Sequence, residues 1–384
     1  MKLRTISITL LIASFIAAGC LAPTRAWNST GHMTIADIAY DHLSPKTRAS
    51  VDALLVRQRD YGLWMTQMPV GYTDRARYAF MKAATWPDDI RKTPDDRPLW
   101  HYIDIPIIAP GHTPDPIALL LVRPNAETQI LAETALLTTL KATDAERGTA
   151  LCWVEHLVGD VHQPLHDTSL FSPLFPKGDR GGNSELLADG AVDTDPLEAE
   201  ANPHRLHALW DDVLGNTQNP REIEKIAAGL ETTAFRRRTY PQLAAHPDVQ
   251  EWIAEGSDLA KRHVYWNLTL KMTAGADGKA AVTLPSGYLA NMHAVGNRQI
   301  ALAGLRLADL LNKQTFPPIS SLPTQAPRPS VRSALTRTNS GGVRAAPPIL
   351  GSRNNRRYKE TIRGRSKQRA LLWFPRIGVR GLLS

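Results

Sequence analysis

Apolar side chains recur along this chain mainly at helical spacing. The spacing predicts a helix over residues 36–42, and Ser44-Pro45 predicts the start of the next helix, running to about Val56, because serine suits an N-cap and proline the first helical position. Alternation of period two is not sustained, and Leu99–Pro106 is expected to form a short extended segment. The pattern predicts a mostly helical protein. Further helices are predicted over residues 78–91, 126–140, 144–162, 202–214, 220–231, 248–267 and 288–313.

The first 26 residues have the layout of a secretory signal peptide, with a basic start, the apolar run Ile6–Ala18 and small residues after it. The run is too short to span a bilayer comfortably. Cleavage after Ala26 makes Trp27 the new N-terminus. Lipidation at Cys20 is the alternative, but Ala17 stands where a lipoprotein signal needs Leu, Val or Ile. We therefore expect a secreted or periplasmic protein with no stable membrane association.

Residues 317–384 differ sharply in composition from the rest of the chain. They are rich in Pro, Ser, Gly and Arg, and their fourteen Lys or Arg against the single acid Glu360 give a net charge of +13. Such a segment cannot bury enough apolar surface to offset its ordering entropy, so it is predicted to be a disordered basic tail. Its charge suits a polyanion; an incidental extension is the equal alternative.

The domain between these ends, residues 27–316, is acidic, with a net charge of −8. Cys152 is its only cysteine, so no internal disulfide is available to stabilise it. About 290 residues could form two domains by length alone, but the candidate ligands spread from residue 27 to 211, which favours one domain enclosing one site. An acidic domain that binds a polyanion needs cations, and bound metal is the obvious source.

The pattern His-x-x-x-Asp occurs twice, as His156/Asp160 and as His207/Asp211. Residues four apart share one face of a helix, so each pair could give two ligands to one ion. A proline two residues before His166 breaks the first of these helices and turns His166 back toward the same pocket. One pair alone is better explained as a surface ion pair or a core histidine. Two pairs with His166 favour a metal site, and these ligand types suit zinc.

Asp88, His101 and His32 are further candidate ligands. Asp88 and His101 lie beside tryptophan-rich apolar sequence, and His32 follows a glycine. A buried histidine or carboxylate needs a partner, which a metal could supply. On the residues alone, a core histidine at position 101 and a turn residue at position 88 are equal alternatives.

Together these motifs resemble the ligand pattern of the zinc-dependent S1/P1 nuclease family, the fungal and plant type I nucleases. The resemblance covers residues 27–316 in order. It implies an all-α fold, a single mainly helical domain of the phospholipase C and nuclease type around a cleft that holds three zinc ions. The matching motifs are Trp27, His32, Trp86-Pro-Asp88, Trp100-His101-Tyr-Ile-Asp104, His156-x3-Asp160-x5-His166, Gly181-Gly-Asn183 and His207-x3-Asp211.

The resemblance implies three sets of zinc ligands that share one carboxylate. The third set uses the free amino group and carbonyl of Trp27, which requires cleavage after Ala26 because an α-amine ligates only when free and deprotonated. The sets are Asp88, His101, His156 and Asp160; His166, His207 and Asp211; and Trp27, His32 and Asp160.

A closely spaced metal pair acidifies a water for in-line attack on phosphorus. We expect the pair joined by Asp160 to provide this nucleophile, with Asp88 orienting it, and the remaining zinc to stabilise the departing 3′-oxygen. Arg91 is a candidate phosphate clamp because its guanidinium can bind two oxygens; a surface helix arginine is the equal alternative. The expected activity is hydrolysis of single-stranded DNA and RNA to 5′-phosphate products, with 3′-nucleotidase activity.

Base recognition in the family implies that Tyr102 stacks on a base while Asp104 and Asn183 contact its edge. Stacking on an aromatic ring is worth about 1–3 kcal/mol per base and tolerates any base. A duplex base could not enter such a pocket without flipping, so single strands and 3′-nucleotides are the expected substrates. Without the resemblance, Tyr102 would be assigned to the core because of its apolar neighbours.

Two other functions remain open on the sequence. A zinc-dependent phospholipase C shares the trinuclear site, although the short spacing from Trp27 to His32 favours the nuclease. A non-catalytic nucleic-acid-binding protein acting through the basic tail is the alternative from another class. Asn28 and Asn267 begin glycosylation sequons, but neither is expected to be modified. We expect a monomer.

Overall fold

Helices make up most of the chain in the computed structural model, which describes residues 27–187, 205–232, 236–275 and 279–319. The predicted all-α class is confirmed. Short 3₁₀ turns cover Pro98–His101, Pro116–Leu119 and Arg237–Thr239, and a π-helix covers Ala260–Val264. The α-helices are α1 (Ser29–His42), α2 (Pro45–Leu55), α3 (Tyr61–Gln67), α4 (Arg75–Asp89), α5 (Ala126–Thr138), α6 (Asp144–Asp160), α7 (Pro164–Asp167), α8 (Leu206–Asp211), α9 (Pro220–Thr232), α10 (Gln242–Ala245), α11 (Val249–Leu259) and α12 (Tyr288–Asn312).

Among the described residues, five short strands accompany the helices: β1 (Ile105–Ile108), β2 (Thr168–Phe171), β3 (Glu185–Leu187), β4 (Lys271–Ala274) and β5 (Ala280–Thr283). β1 and β2 pair in parallel, with Ile105 opposite Thr168. The other three form a sheet in the order β3-β5-β4, parallel between β3 and β5 and antiparallel between β4 and β5. The β1–β2 pairing continues as a hydrogen bond from the Ile103 amide to the His166 carbonyl (2.9 Å), which brings the segment after His101 beside α7.

Several predicted boundaries are wrong by a few residues, each for a local reason. α1 begins at Ser29, earlier than residue 36, because the Asn28 side chain accepts a hydrogen bond from the Gly31 amide and caps the helix. Residues 99–101 are not extended, since Pro98 starts a 3₁₀ turn that ends at His101. The helix predicted over 248–267 changes to a π-helix after Leu259 and ends at Val264.

Other predictions fall partly outside the described residues. Of the helix expected over 202–214, the described part begins at Arg205, which is extended, and the helix runs from Leu206 to Asp211. Residues 1–26 and 320–384, which hold the predicted signal peptide and nearly all of the predicted tail, lie outside the described part of the chain, so the boundaries at 26/27 and 316/317 stay predictions. All described residues belong to one compact unit. Within those residues, no helix is long and apolar enough to cross a bilayer.

Two helices, α1 and α6, lie at the centre of the packing. α1 packs against α4, α9 and α12, and α6 packs against α2, α4 and α5. Most side chains of both helices are buried, and several of these are polar. A helix enclosed on all sides needs partners for its polar groups. His32 of α1 and His156 and Asp160 of α6 are such groups, and they face one another in the site described next.

Candidate metal centre

Six elements bring the predicted histidine and aspartate ligands into three neighbouring groups. Within each group the ligand atoms lie within 4.8 Å of one another, and every member except Asp88 is buried. α1 carries His32, the end of α4 carries Asp88, the 3₁₀ turn carries His101, α6 carries His156 and Asp160, α7 carries His166, and α8 carries His207 and Asp211. The groups are His32, His156 and Asp160; Asp88, His101 and His156; and His166, His207 and Asp211.

The four residues predicted to share one zinc have the spacing of a tetrahedral site. His156 Nε2 lies 3.0 Å from His101 Nδ1 and 3.7 Å from Asp88 Oδ1. Asp160 Oδ2 lies 3.1 Å from His101 Nδ1 and 3.4 Å from His156 Nε2. Ligands about 2.0–2.2 Å from a tetrahedral ion are separated by roughly 3.3–3.6 Å. The donor atoms therefore fit a zinc ion placed between them.

Backbone carbonyls orient three of the imidazole rings. The Nδ1–H of His156 donates to the Ala84 carbonyl (2.8 Å), and the Nδ1–H of His166 donates to the His101 carbonyl (2.6 Å). The Nδ1–H of His207 donates to the Gly181 carbonyl (2.5 Å). A carbonyl can only accept, so each ring carries its proton on Nδ1 and turns the Nε2 lone pair toward the candidate ion.

The second set, His166, His207 and Asp211, converges in the same way. His166 Nε2 and His207 Nε2 are 3.0 Å apart, and His207 Nε2 lies 3.5 Å from Asp211 Oδ2. The other carboxylate oxygen of Asp211 accepts a hydrogen bond from Gln163 Nε2 (2.6 Å). Gln163 in turn accepts from the Leu165 amide. Gln163 thus leaves Asp211 one oxygen for the ion.

His32 contributes to the third predicted set. Its Nε2 lies 3.4 Å from Asp160 Oδ1, and its ring stacks on that of His156 with centroids 4.0 Å apart. Both ring nitrogens are buried without a hydrogen-bond partner among the described residues. Asp160 therefore presents Oδ2 to one group and Oδ1 to the other, as a bridging carboxylate would.

Trp27 lies beside this group. Its indole is fully buried, and its Nε1–H donates to the Gly159 carbonyl (3.0 Å). A side chain at Gly159 would place its Cβ 2.9 Å from His32 Nδ1, so the close approach of α1 to α6 requires glycine there. The role of the Trp27 amino group and carbonyl as ligands stays a prediction.

Burial sets the charge state of the ligands. It lowers the pKa of His32 and His101 well below the usual value and lowers that of His156 as well, which keeps these rings neutral and able to ligate. Burial also raises the pKa of Asp160 and Asp211 well above the ordinary aspartate value. Ionised carboxylates are thus costly in this cavity without a cation, and a bound metal would reverse that shift.

Arg91 lies at the edge of the centre and forms an ion pair with Asp88, with Nη2 2.6 Å from Oδ1. The guanidinium is mostly buried, and its charge contributes to the lowered pKa of His32 and His101. The structure therefore places Arg91 within reach of the site, which weakens the alternative of a surface arginine. Its role as a phosphate clamp stays a prediction.

Tyr102 and Asp104 follow His101 and approach the loop of residues 177–183. Burial and then Asp104 raise the pKa of Tyr102 to about 12. Burial and then Asp179 raise the pKa of Asp104 to about 7, with Arg180 opposing the shift. Asp104 has left-handed backbone (φ 63°), which turns the chain into β1. The amide of Asn183, the third predicted base contact, donates to the Arg180 carbonyl (2.9 Å).

Sequence reasoning missed several residues that hold this centre. Gln163 precedes Pro164, and its side chain caps α7, a position whose signal is the Gln-Pro step itself. Asp179 belongs to the 177–183 loop, and its side chain is fully buried. Nothing in the sequence separates it from an ordinary loop aspartate. His162 lies between the predicted ligands but faces away from them, since its Nδ1 donates to the Val158 carbonyl and its Nε2 lies 3.0 Å from Arg306 Nη1.

Three plant endonucleases are similar to this chain over most of its length. Endonuclease 3 of Arabidopsis thaliana is 24% identical over 332 residues, covering 81% of this chain and 95% of its own length. Endonuclease 5 of the same plant is 23% identical over 339 residues, with 80% and 95% covered. Endonuclease 4 is 24% identical over 313 residues, with 75% and 88% covered.

The profile of the S1/P1 nuclease family matches residues 27–315. This family is zinc-dependent in general, and the three histidine and aspartate groups of this chain could bind metal. Because the match spans most of the chain, the chain belongs to the S1/P1 nuclease family, whose members are metal-dependent endonucleases acting on nucleic acids.

Proposed function

We propose that this protein is a zinc-dependent phosphodiesterase that hydrolyses single-stranded DNA and RNA to 5′-phosphate products and also acts on 3′-nucleotides. The observation that carries the proposal is the sharing of Asp160 between two ligand groups. Its two oxygens face His32 on one side and His101 with His156 on the other. A carboxylate in that position supports two closely spaced ions, the arrangement used for in-line displacement at phosphorus.

Three zinc ions complete the proposal. The ligands of the ion outside the Asp160 pair, His166, His207 and Asp211, lie beside the other two groups because the His101 carbonyl accepts a hydrogen bond from the His166 ring. When bound, zinc would supply Lewis acidity and lower the pKa of a water near the phosphate. The chain orients the imidazoles, and its Asp88–Arg91 ion pair places a carboxylate and a guanidinium at the edge of the centre, where a nucleophile and a phosphate oxygen would lie.

We infer a preference for single strands from the base contacts proposed for Tyr102, Asp104 and Asn183. Tyr102 lies just outside the ligand groups, beside Asp104 and the loop bearing Asn183. A base stacked on Tyr102 with its edge toward Asp104 and Asn183 must be unpaired. We propose that these three residues receive the base next to the cleaved phosphate.

We further propose that the protein acts outside the cytoplasm as a monomer, after cleavage at Ala26. The buried position of Trp27 beside Gly159 and His32 supports this, because cleavage there would release an α-amine next to the metal groups. N-terminal sequencing of the exported protein tests it. A start at Trp27 is the expected result, and an N-terminal lipidated Cys20 would refute it.

The activity is tested with purified, exported protein on single-stranded DNA, the matching duplex, a 3′-nucleotide and phosphatidylcholine. We expect EDTA-sensitive cleavage of the single strand, slower cleavage of the duplex, and three zinc ions per chain by elemental analysis. Lipid hydrolysis without DNA cleavage would instead indicate a phospholipase C. A chain lacking residues 317–384 should keep the cleavage, whereas a tail-driven binding protein would lose its affinity for DNA.

A further inference from the structure

One buried carboxylate, that of Asp179, binds the backbone of its own loop, residues 177–183. Oδ1 of Asp179 accepts a hydrogen bond from the Gly181 amide (3.0 Å), and Oδ2 accepts one from the Gly182 amide (3.0 Å). The backbone of Arg180, Gly181 and Gly182 is left-handed, with φ of 63°, 60° and 77°. Three successive left-handed residues are unfavourable unless their amides find acceptors. Asp179 provides the acceptors for two of them, Gly181 and Gly182, and Ser169 Oγ accepts from the Arg180 amide (3.1 Å).

The same two glycines hold a predicted metal ligand from their other side. The Gly181 carbonyl accepts the Nδ1–H of His207 (2.5 Å), and the Gly182 carbonyl accepts the His207 backbone amide (3.2 Å). The loop therefore fixes both the backbone and the ring of His207. A change in the loop backbone would turn the His207 Nε2 away from His166, which it now faces at 3.0 Å.

Asp179 is itself fixed to the scaffold by three further donors. Its Oδ1 accepts from the Leu170 amide (2.7 Å) and from Ser169 Oγ (3.1 Å), both on β2. Its Oδ2 accepts from the hydroxyl of Tyr265, which is fully buried just after the π-helix (2.6 Å). The carboxylate, itself fully buried, thus ties the loop to two separate parts of the fold.

We propose that Asp179 is a positioning residue that fixes His207 through the Gly181–Gly182 backbone and so couples the segment bearing Asn183 to the metal group of His166, His207 and Asp211. The inference rests on the proposed function only in taking that group as a zinc site. It means that base binding at the loop and metal binding at His207 are not independent.

Asp179→Asn tests the coupling with little change in volume. A carboxylate only accepts, whereas the carboxamide carries a donating NH₂ that would face at least two of the five N–H or O–H donors. Residues that orient a metal-bound histidine typically change metal affinity by 10–100-fold. Because a peptide unit lies between Asp179 and His207, we expect about a tenfold weaker affinity for one of the zinc ions.

Zinc per chain is measured by elemental analysis after dialysis against a series of zinc-buffered solutions, together with KM and kcat on a single-stranded oligonucleotide. Asp179→Asn should lose one zinc at about tenfold higher free zinc than wild type, and its kcat should fall and recover with added zinc. The zinc content of His207→Ala is the reference for loss of the zinc bound by His166, His207 and Asp211. Asn183→Ala is the matched loop control, which should raise KM and leave the zinc content unchanged.

Should Asp179→Asn fail to fold, Tyr265→Phe removes one donor to the same carboxylate, and Ser169→Ala removes another together with the acceptor of the Arg180 amide. Their combination should weaken the same zinc by a few-fold. The inference would be overturned if zinc binding is unchanged in Asp179→Asn while His207→Ala lowers the zinc content. If Asp179→Asn does not fold, the double variant takes its place in this comparison. If wild type binds zinc without cleaving DNA, the proposed function fails and the Asp179 comparison still stands. A His207→Ala protein with undiminished zinc would overturn both.

Discussion

Replacement of Asp160 by asparagine should remove two zinc ions with one change. Asp160 Oδ2 lies 3.1 Å from His101 Nδ1, and Oδ1 lies 3.4 Å from His32 Nε2, so one side chain serves two ligand groups. Asparagine keeps the shape but loses the charge and replaces one oxygen with a donor. The group of His166, His207 and Asp211 contains no atom of Asp160 and should keep its ion.

The expected magnitude follows from the number of ligands lost. Each of two ions loses one ligand of about four, and its affinity should fall by more than the 10–100-fold typical of a residue that only orients a ligand. A metal ion stabilises the transition state by several kcal/mol, and each 1.36 kcal/mol is a factor of ten in rate. Loss of the pair should therefore reduce kcat/KM by about a thousandfold or more.

The assay is zinc content by elemental analysis together with cleavage of a single-stranded oligonucleotide. Asp104→Asn is the matched control, since it makes the same change at a partly buried carboxyl that is not a predicted ligand. We expect one zinc per chain in Asp160→Asn and three in Asp104→Asn, with a much smaller loss of activity in the control. Equal zinc content in wild type and Asp160→Asn would refute the bridging role.

Without metal, Asp160→Asn should be more stable than wild type, although it is less active. Burial raises the pKa of Asp160 well above the ordinary value, so the folded metal-free protein binds a proton that the unfolded chain releases at lower pH. Its stability therefore falls as pH rises from about 4 toward the folded-state pKa. In EDTA at neutral pH, Asp160→Asn should melt at a higher temperature than wild type, and excess zinc should reverse that order. A lower melting temperature for the variant in both conditions would contradict this reasoning.

Three further predictions concern neighbouring groups. Burial raises the pKa of Asp104 to about 7. KM for a nucleotide should therefore fall as pH rises through that value, because the ionised carboxylate accepts hydrogen bonds from the base. Asp104→Asn should abolish this pH dependence of KM, and a dependence that persists in the variant would contradict the role of Asp104. Gln163→Ala should lower the affinity of one zinc about 10–100-fold because Asp211 loses its orienting donor, whereas Gln163→Glu places a second carboxylate against it and should be worse. Tyr102→Ala should raise KM by the equivalent of about 1–3 kcal/mol, and Tyr102→Phe should leave KM nearly unchanged if stacking is the contact.

Helical spacing was enough to predict most of the helices and the pairing of ligands within them. His156 with Asp160 and His207 with Asp211 share a helix face because four residues make about one turn, which is a local property of the backbone. The break at Pro164 is local too, since proline cannot continue the hydrogen bonding of α6. Together with the ordered motifs from Trp27 to Asp211, these signals were sufficient to predict the family and the all-α class.

Only the tertiary structure decided which ligand atoms meet and what orients them. Asp160 faces two groups because α1 packs against α6. His101 presents Nδ1 to Asp160 because of the 3₁₀ turn that begins at Pro98. The tautomers of His166 and His207 depend on carbonyls far away in sequence. Such contacts cannot be predicted from local spacing, because they arise where separate elements pack and buried polar groups take whichever partners the fold brings near.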